Sequence, residues 1–158
     1  MKQIALVCAV VFVSGALHAQ KLKESEVPEP VKSSFSKSFP NAKGVEWSKE
    51  SEGEFEAEFK SGSLKHSANF DASGKWLITE TEIKKADLPT MVQATIKKEF
   101  GGLKIEEVEK VETPEGISYE VELEKGEVTY SVQLASDGKI LKKEERKEDK
   151  EDHEKDGD

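Results

Sequence analysis

Two segments of the chain alternate an apolar residue with a glutamate. Residues 55–59 read FEAEF and residues 119–123 read YEVEL. A period of two is typical of a β-strand that buries one side, so each segment predicts a strand. The residues that follow also correspond, since Gly62 and Gly74 have counterparts in Gly126 and Gly138. The sequence therefore predicts one small unit that occurs twice.

Each predicted strand group is preceded by apolar residues that recur every fourth position, which predicts a short helix. In the first copy these are Val27, Val31, Phe35 and Phe39, and in the second they are Leu88, Val92, Ile96 and Phe100. A proline lies in the first turn of each helix, where the backbone amide has no helical partner. We expect the helices to end at residues 40–41 (PN) and 101–102 (GG).

Four short strands are expected after each helix. They are predicted at residues 45–48, 55–59, 64–70 and 76–83, and again at 107–111, 119–123, 128–134 and from 140 onward. Their connections are too short for crossovers, so the pairing should be antiparallel. The predicted fold is α+β, with two tandem α-β-β-β-β repeats and both helices on one face. The two sheets either lie side by side or join into one.

The ends of the chain differ from this pattern. Residues 1–19 begin with a lysine, continue with a short apolar run and end in small residues, which predicts a cleaved signal peptide. The lone cysteine, Cys8, lies inside it, so a mature chain would have no thiolate metal site or cysteine nucleophile. We predict a first repeat at 20–84, a second at 85–143, and a charged tail at 144–158 that is disordered or a frayed helix because it carries no apolar residue.

Charge narrows the possible partners. The net charge is −9 and charged residues make up 36% of the chain. A polyanion repels nucleic acid and anionic membrane surfaces, so we expect neither, and no stable membrane insertion after signal cleavage. Basic proteins or peptides, cations and uncharged ligands stay open.

The glutamates that alternate with the apolar residues are the candidate site. They are Glu54, Glu56 and Glu58 in the first copy, and Glu120 and Glu122 in the second. They are either the solvated side of a half-covered sheet or an acidic surface for a basic partner. Binding of a divalent cation is a third alternative, although no segment matches a calcium loop.

The turn lengths decide where three further candidates lie. A two-residue turn at 73–74 would place Trp76 and Ile78 on the glutamate side, and the aligned turn would do the same to Ile140. A three-residue turn would instead place Trp76 in the core. An aromatic residue among carboxylates suits a binding surface. A two-residue turn at 61–62 would pair Glu58 with Lys65.

No arrangement of residues predicts catalysis. His66 is the only histidine of the predicted folded part, and we expect it to be a half-buried structural residue without a metal partner. There is no nucleophile elbow and no phosphate-binding glycine loop. The sequence predicts a protein that is not an enzyme and needs no metal or cofactor.

The combined pattern resembles the PepSY-like, beta-lactamase-inhibitor-like proteins secreted by Bacteroidetes-type bacteria. The resemblance rests on the two helix stripes, on Trp47, and on the two alternating strands, and it covers roughly residues 26–143. It implies a periplasmic or secreted location and a protein that binds a protein or peptide, a peptidase among them, through the open sheet. The expected function is a non-enzymatic, inhibitor-like binding protein. The alternative is an acidic envelope-stress or cation-buffering protein without a specific partner.

Overall fold

Nine strands form a single antiparallel sheet in chain order in the computed structural model, which describes residues 20–147. The predicted signal peptide, and residues 148–158 of the predicted tail, lie outside the described residues. The strands are β1 (Gln20–Leu22), β2 (Lys43–Ser51), β3 (Glu54–Ser61), β4 (Leu64–Asp71), β5 (Trp76–Glu82), β6 (Lys104–Thr113), β7 (Gly116–Lys125), β8 (Val128–Ala135) and β9 (Ile140–Lys147).

Two α-helices connect the strands, α1 (Glu29–Ser38) after β1 and α2 (Thr90–Glu99) after β5. Pro30 lies in the first turn of α1, as the sequence predicts, whereas Pro89 is the N-cap residue immediately before α2. The predicted stripes face inward, because Val31 and Val92 have no exposed surface. Each helix covers its own apolar cluster, one built on Phe55, Ala57, Phe59 and Phe70, the other on Val108, Val121, Leu123 and Leu134.

The two groups of strands meet at β5 and β6, which pair from Thr79 opposite Glu112 to Glu82 opposite Glu109. Of the two arrangements that the sequence left open, the structure therefore has the single sheet. The first strand, β1, escaped prediction because its three residues (QKL) are too few to show a period. No helix among residues 20–147 is long and apolar enough to cross a membrane.

The hairpin between β3 and β4 differs from the predicted register. Its turn is at residues 62–63, and Ser61 is opposite Leu64, so Phe59 pairs with His66 and Glu58 with Ser67. The predicted pair of Glu58 with Lys65 is therefore wrong. The pairing differs by two residues because Ser61 belongs to the strand and Gly62, with a φ of 62°, begins the turn. A shift of two leaves every side chain on the predicted face.

The predicted tail also needs correction. Residues 144–147 continue β9, where Glu144 is opposite Ser131 and Lys147 is opposite Val128. The prediction of a disordered or frayed helical segment is wrong there, because an edge strand is held by its backbone hydrogen bonds and does not need apolar side chains. The charged residues of β9 fit an edge strand, where charge discourages pairing with other chains.

Candidate functional site

Eight glutamates from four strands lie on one side of the sheet. Directly opposed residues of antiparallel strands have their side chains on the same side. Glu58 is opposite Ser67, which is opposite Glu80, and Glu82 is opposite Glu109, which is opposite Glu120. The acidic face, as we term it, consists of Glu56, Glu58, Glu80, Glu82, Glu107, Glu109, Glu120 and Glu122.

The glutamates predicted from the alternating strands are placed on this side. Glu56 lies between the buried residues Phe55 and Ala57, so its side chain leaves the strand away from the core. Glu120 and Glu122 flank Val121 in the same way. Glu54 is on the same side of β3 at the edge of the acidic face, where it accepts a hydrogen bond of 2.8 Å from the Asn69 side chain.

Trp76 is not on the acidic face. A β-bulge between Asn69 and Phe70 places Phe70 opposite Trp76, so the indole packs against the first apolar cluster. Its Nε1 donates a hydrogen bond of 2.8 Å to Thr79 Oγ1. The prediction that depended on a two-residue turn is wrong for Trp76, because the bulge adds one residue and reverses the side of the sheet.

Ile140 and Ile78 have opposite outcomes. An equivalent bulge between Gln133 and Leu134 places Ile140 opposite the core residue Leu134, so Ile140 is also on the wrong side for the predicted site. Ile78 is opposite Asn69 and does lie on the glutamate side. It is only 5% exposed, so its apolar side chain offers little surface to a partner.

The acidic face has an apolar floor and a groove. Val111 is opposite Glu80, and it is only 1% exposed although it belongs to neither of the two apolar clusters. Ile78 and Val111 are thus buried apolar residues on the glutamate side of the sheet. A groove of about 300 Å³ runs along the face, and its walls include Glu58, Glu80, Glu82, Glu107 and Glu109. This face of the sheet is therefore grooved.

Serine hydroxyl groups donate hydrogen bonds to some of the carboxylates of the acidic face. Ser67 Oγ donates to Glu80 Oε2 at 3.0 Å, and Ser48 Oγ donates to Glu56 Oε2 at 3.2 Å. The other oxygen of Glu80, Oε1, is buried and has no hydrogen-bond partner among the described residues. A buried oxygen without a partner is costly, and more so when it carries charge.

Burial and mutual repulsion raise the pKa values of these carboxyl groups. Burial is the main cause at Glu80, whose pKa rises from 4.5 to about 8, and the neighbouring Glu109 and Glu120 add to it. Burial also raises the pKa of Glu109 to about 7, helped by Glu107 and Glu120. The pKa of Glu56 rises to about 7 through burial and through Glu50 beside it.

Among the described residues, the ion pairs on this side of the sheet lie at its margins. Lys65 Nζ is 2.8 Å from Glu82, Lys21 Nζ is 3.2 Å from Glu46, and Lys142 Nζ is 2.9 Å from Glu144. Within residues 20–147, no salt bridge reaches Glu56, Glu80 or Glu109 at the centre. The centre is therefore the part of the face where positive charge is lacking.

His66 lies on the opposite side of β4 from Ser67. Its ring stacks on Phe59 with the centroids 5.1 Å apart, and its Nδ1 is 3.0 Å from Thr81 Oγ1. Burial lowers the pKa of this imidazole. His66 is among the residues that line the groove, and its ring is half-buried, as the sequence predicts.

The spacing of the carboxylates does not suit a metal ion. Among the residues that the structure describes, no three histidine, cysteine, aspartate or glutamate side chains are grouped closely enough to hold one. A calcium ion takes six to eight oxygen ligands at about 2.3–2.6 Å. The acidic face spreads its charge over several strands instead, which suits an extended cationic partner.

Sequence reasoning missed half of the acidic face. Glu80 and Glu82 alternate with Thr79 and Thr81 along β5, but the alternation was not recognised because the inward residues are threonines. Both threonines are buried, which confirms that they face inward. In β6 the bulge between Ile105 and Glu107 interrupts the period of two, which hides Glu107 and Glu109.

Solved structures with the same fold are known. A BLIP-like protein from Bacteroides fragilis matches with a TM-score of 0.69 at 21% identity, over 80% of this chain and 92% of that one. A DUF2874 family protein from Bacteroides uniformis matches with a TM-score of 0.70 at 22% identity, over 75% and 88%. A "putative periplasmic" protein from Bacteroides eggerthii matches with a TM-score of 0.71 at 19% identity, over 75% and 88%.

No curated protein matches the chain in sequence. A family model does, and its description is "putative beta-lactamase-inhibitor-like, PepSY-like". It matches residues 16–62 and again residues 53–142, which together include nearly all of the described sheet and both helices. The chain therefore belongs to the PepSY-like, beta-lactamase-inhibitor-like family, as the resemblance in its sequence suggests.

Proposed function

We propose that the protein is a non-enzymatic binding protein that recognises a protein or peptide with basic side chains through the acidic face. The observation that carries the proposal is the uncompensated centre of this face. Glu56, Glu80 and Glu109 lie on the same side of the sheet, are largely removed from water, and have no ion pair within residues 20–147. A lysine or arginine from a partner would supply the missing charge and could donate to the buried Glu80 Oε1.

We propose further that the sheet is open, with both helices on the side opposite the acidic face. Support comes from the register across the junction between the two strand groups. Ala68, in the first apolar cluster, is opposite Thr79, which is opposite Glu112. Lys110, two residues before Glu112, is opposite Tyr119, which packs against the second cluster. The two clusters then share one side, and the tandem arrangement leaves the acidic face uncovered by helices.

Family membership supports an extracytoplasmic, inhibitor-like role. One structure with the same fold is described as periplasmic and another as BLIP-like, and the predicted signal peptide points to the same compartment. A fold does not fix a function, so the argument for binding rests on the acidic face. Inhibition of a peptidase or another enzyme would be one consequence of such binding.

Affinity capture from the periplasm tests this proposal. The mature protein is compared with a triple variant in which Glu56, Glu109 and Glu120 are replaced by glutamine. We expect the wild type to retain a basic partner in a salt-sensitive manner, and the triple variant to lose most of it.

A second triple variant provides the matched control. Glu24, Glu29 and Glu99 lie on the helical elements, and their replacement by glutamine removes the same number of carboxyl groups. Equal recovery by wild type and by the acidic-face variant would contradict the proposal. Heat released on addition of millimolar calcium, together with no protein partner, would favour the cation-buffering alternative.

A further inference from the structure

We propose that the centre of the acidic face holds protons in the free protein at neutral pH, and that a cationic side chain of the partner displaces them on binding. This inference rests on the proposed function and adds its regulation, because binding would then depend on pH. The centre consists of Glu56, Glu80 and Glu109.

The register of the strands forces like charges together. Glu82 is directly opposite Glu109, Glu109 is directly opposite Glu120, and Glu107 is directly opposite Glu122. Opposed like charges on neighbouring strands are destabilising. If all of these glutamates were ionised, their carboxylates would repel one another from each strand to the next across the face.

Hydrogen bonding at Glu80 gives an independent reason. Ser67 Oγ donates to Oε2, whereas Oε1 is buried without a donor among the described residues. An ionised carboxylate in this position would leave charge on an unsolvated oxygen. A protonated carboxyl group loses most of that penalty because it is neutral.

The charged groups that surround the centre come from every neighbouring strand, and most are acidic. Toward β1 to β3 they are Lys21, Glu46, Glu50, Glu54, Glu58 and Lys60, and toward β4 to β7 they are Lys65, Glu82, Glu107, Glu120 and Glu122. Lys21 is engaged by Glu46 at 3.2 Å. Lys65 is engaged by Glu82 at 2.8 Å. The raised pKa values of the three central carboxyl groups agree with this imbalance.

A guanidinium or ammonium group placed at the centre would reverse the balance. It stabilises the ionised carboxylates, so one or more protons leave for solvent as the cation arrives. Raising the pH removes this competing protonation. Below the pKa of a group that loses its proton on binding, each rise of one pH unit therefore strengthens binding by up to about tenfold for every proton displaced.

The first test uses the mature protein alone. Carboxyl ¹³Cδ shifts of its glutamates are followed by NMR from pH 4 to pH 9, in the wild type and in a Glu80→Gln, Glu109→Gln double variant. We expect three titration midpoints near 7 or above in the wild type, and loss of those of Glu80 and Glu109 in the double variant, which keeps that of Glu56. Midpoints that all lie below about 5.5 would overturn the inference. The wild-type titration decides this even if the double variant folds poorly.

The second test measures the exchange with a hexa-arginine peptide as the probe. Calorimetry at pH 7 in buffers of different ionisation enthalpy gives the number of protons released. We expect close to one proton or more, and weaker binding at pH 6 than at pH 8. Binding without proton release would overturn the exchange while leaving the proposed function intact. No binding at either pH would contradict both the exchange and the basic partner, whereas the titration would still report on the protons.

Discussion

Replacement of Glu80 by glutamine should change how the stability of the protein depends on pH. The pKa of Glu80 is raised from 4.5 to about 8 by burial, so the folded state binds this proton more tightly than the unfolded state does. Where the folded state holds more protons, the free energy of unfolding falls as the pH rises. This loss begins near pH 4.5 and is complete once the pH exceeds the folded pKa of about 8.

The size of this loss in the free energy of unfolding follows from the shift in the pKa of Glu80. One pKa unit corresponds to about 1.4 kcal/mol, so the full shift costs the alkaline protein up to about 5 kcal/mol, of which about 3 kcal/mol develops between pH 6 and pH 9. Glu80, Glu109 and Glu56 interact, so their separate contributions to the free energy of unfolding do not add. A glutamine is neutral in both states and removes this dependence.

Urea unfolding at pH 6 and pH 9 measures the effect. We expect the wild type to be less stable at pH 9, and the advantage of the Glu80→Gln variant over it to grow by about 3 kcal/mol between the two values. Glu115→Gln, in the exposed turn between β6 and β7, is the control and should follow the wild type. A wild type that gains stability toward pH 9, or a Glu80→Gln variant that parallels it, would refute the reasoning.

Three further predictions concern the scaffold. Gly74 has a φ of 84°, and a Cβ there would lie 2.5 Å from the Pro30 carbonyl oxygen, so Gly74→Ala should lower the melting temperature more than Gly53→Ala, where φ is 85° and nothing lies within 4 Å. Equal losses would mean that only the backbone conformation matters. Phe70 is fully buried, so Phe70→Ala should cost about 3–5 kcal/mol in denaturant unfolding, and a cost below about 1 kcal/mol would contradict its place in the core. His66 should titrate below its ordinary pKa of 6.5 when followed by NMR, and a higher value would contradict its burial against Phe59.

The sequence predicts the elements of this fold well because their signals are local. The fourfold spacing of Val27, Val31 and Phe35 specifies a helix with one buried side, and the alternation around Ala57 specifies a strand. Both depend only on neighbouring residues.

The candidate site was harder to predict because it depends on register. One added residue at a β-bulge moves Trp76 and Ile140 to the core side, and sequence does not determine whether a turn has two or three residues. Glu80 and Glu109 lie beside each other at the centre of the acidic face only because β5 pairs with β6, two strands that α2 separates in the sequence. Such long-range pairing leaves no local signal in a single sequence.

Mapping a basic peptide on the folded protein tests the central claim most directly. Hexa-arginine is titrated into the ¹⁵N-labelled mature protein at pH 8, and changes in the amide spectrum are assigned to residues. The acidic face as a binding surface predicts the largest changes on β3, β5, β6 and β7, and their loss when Glu56, Glu80 and Glu109 are replaced by glutamine. Changes centred on α1 and α2, or equal changes in that variant, would contradict it.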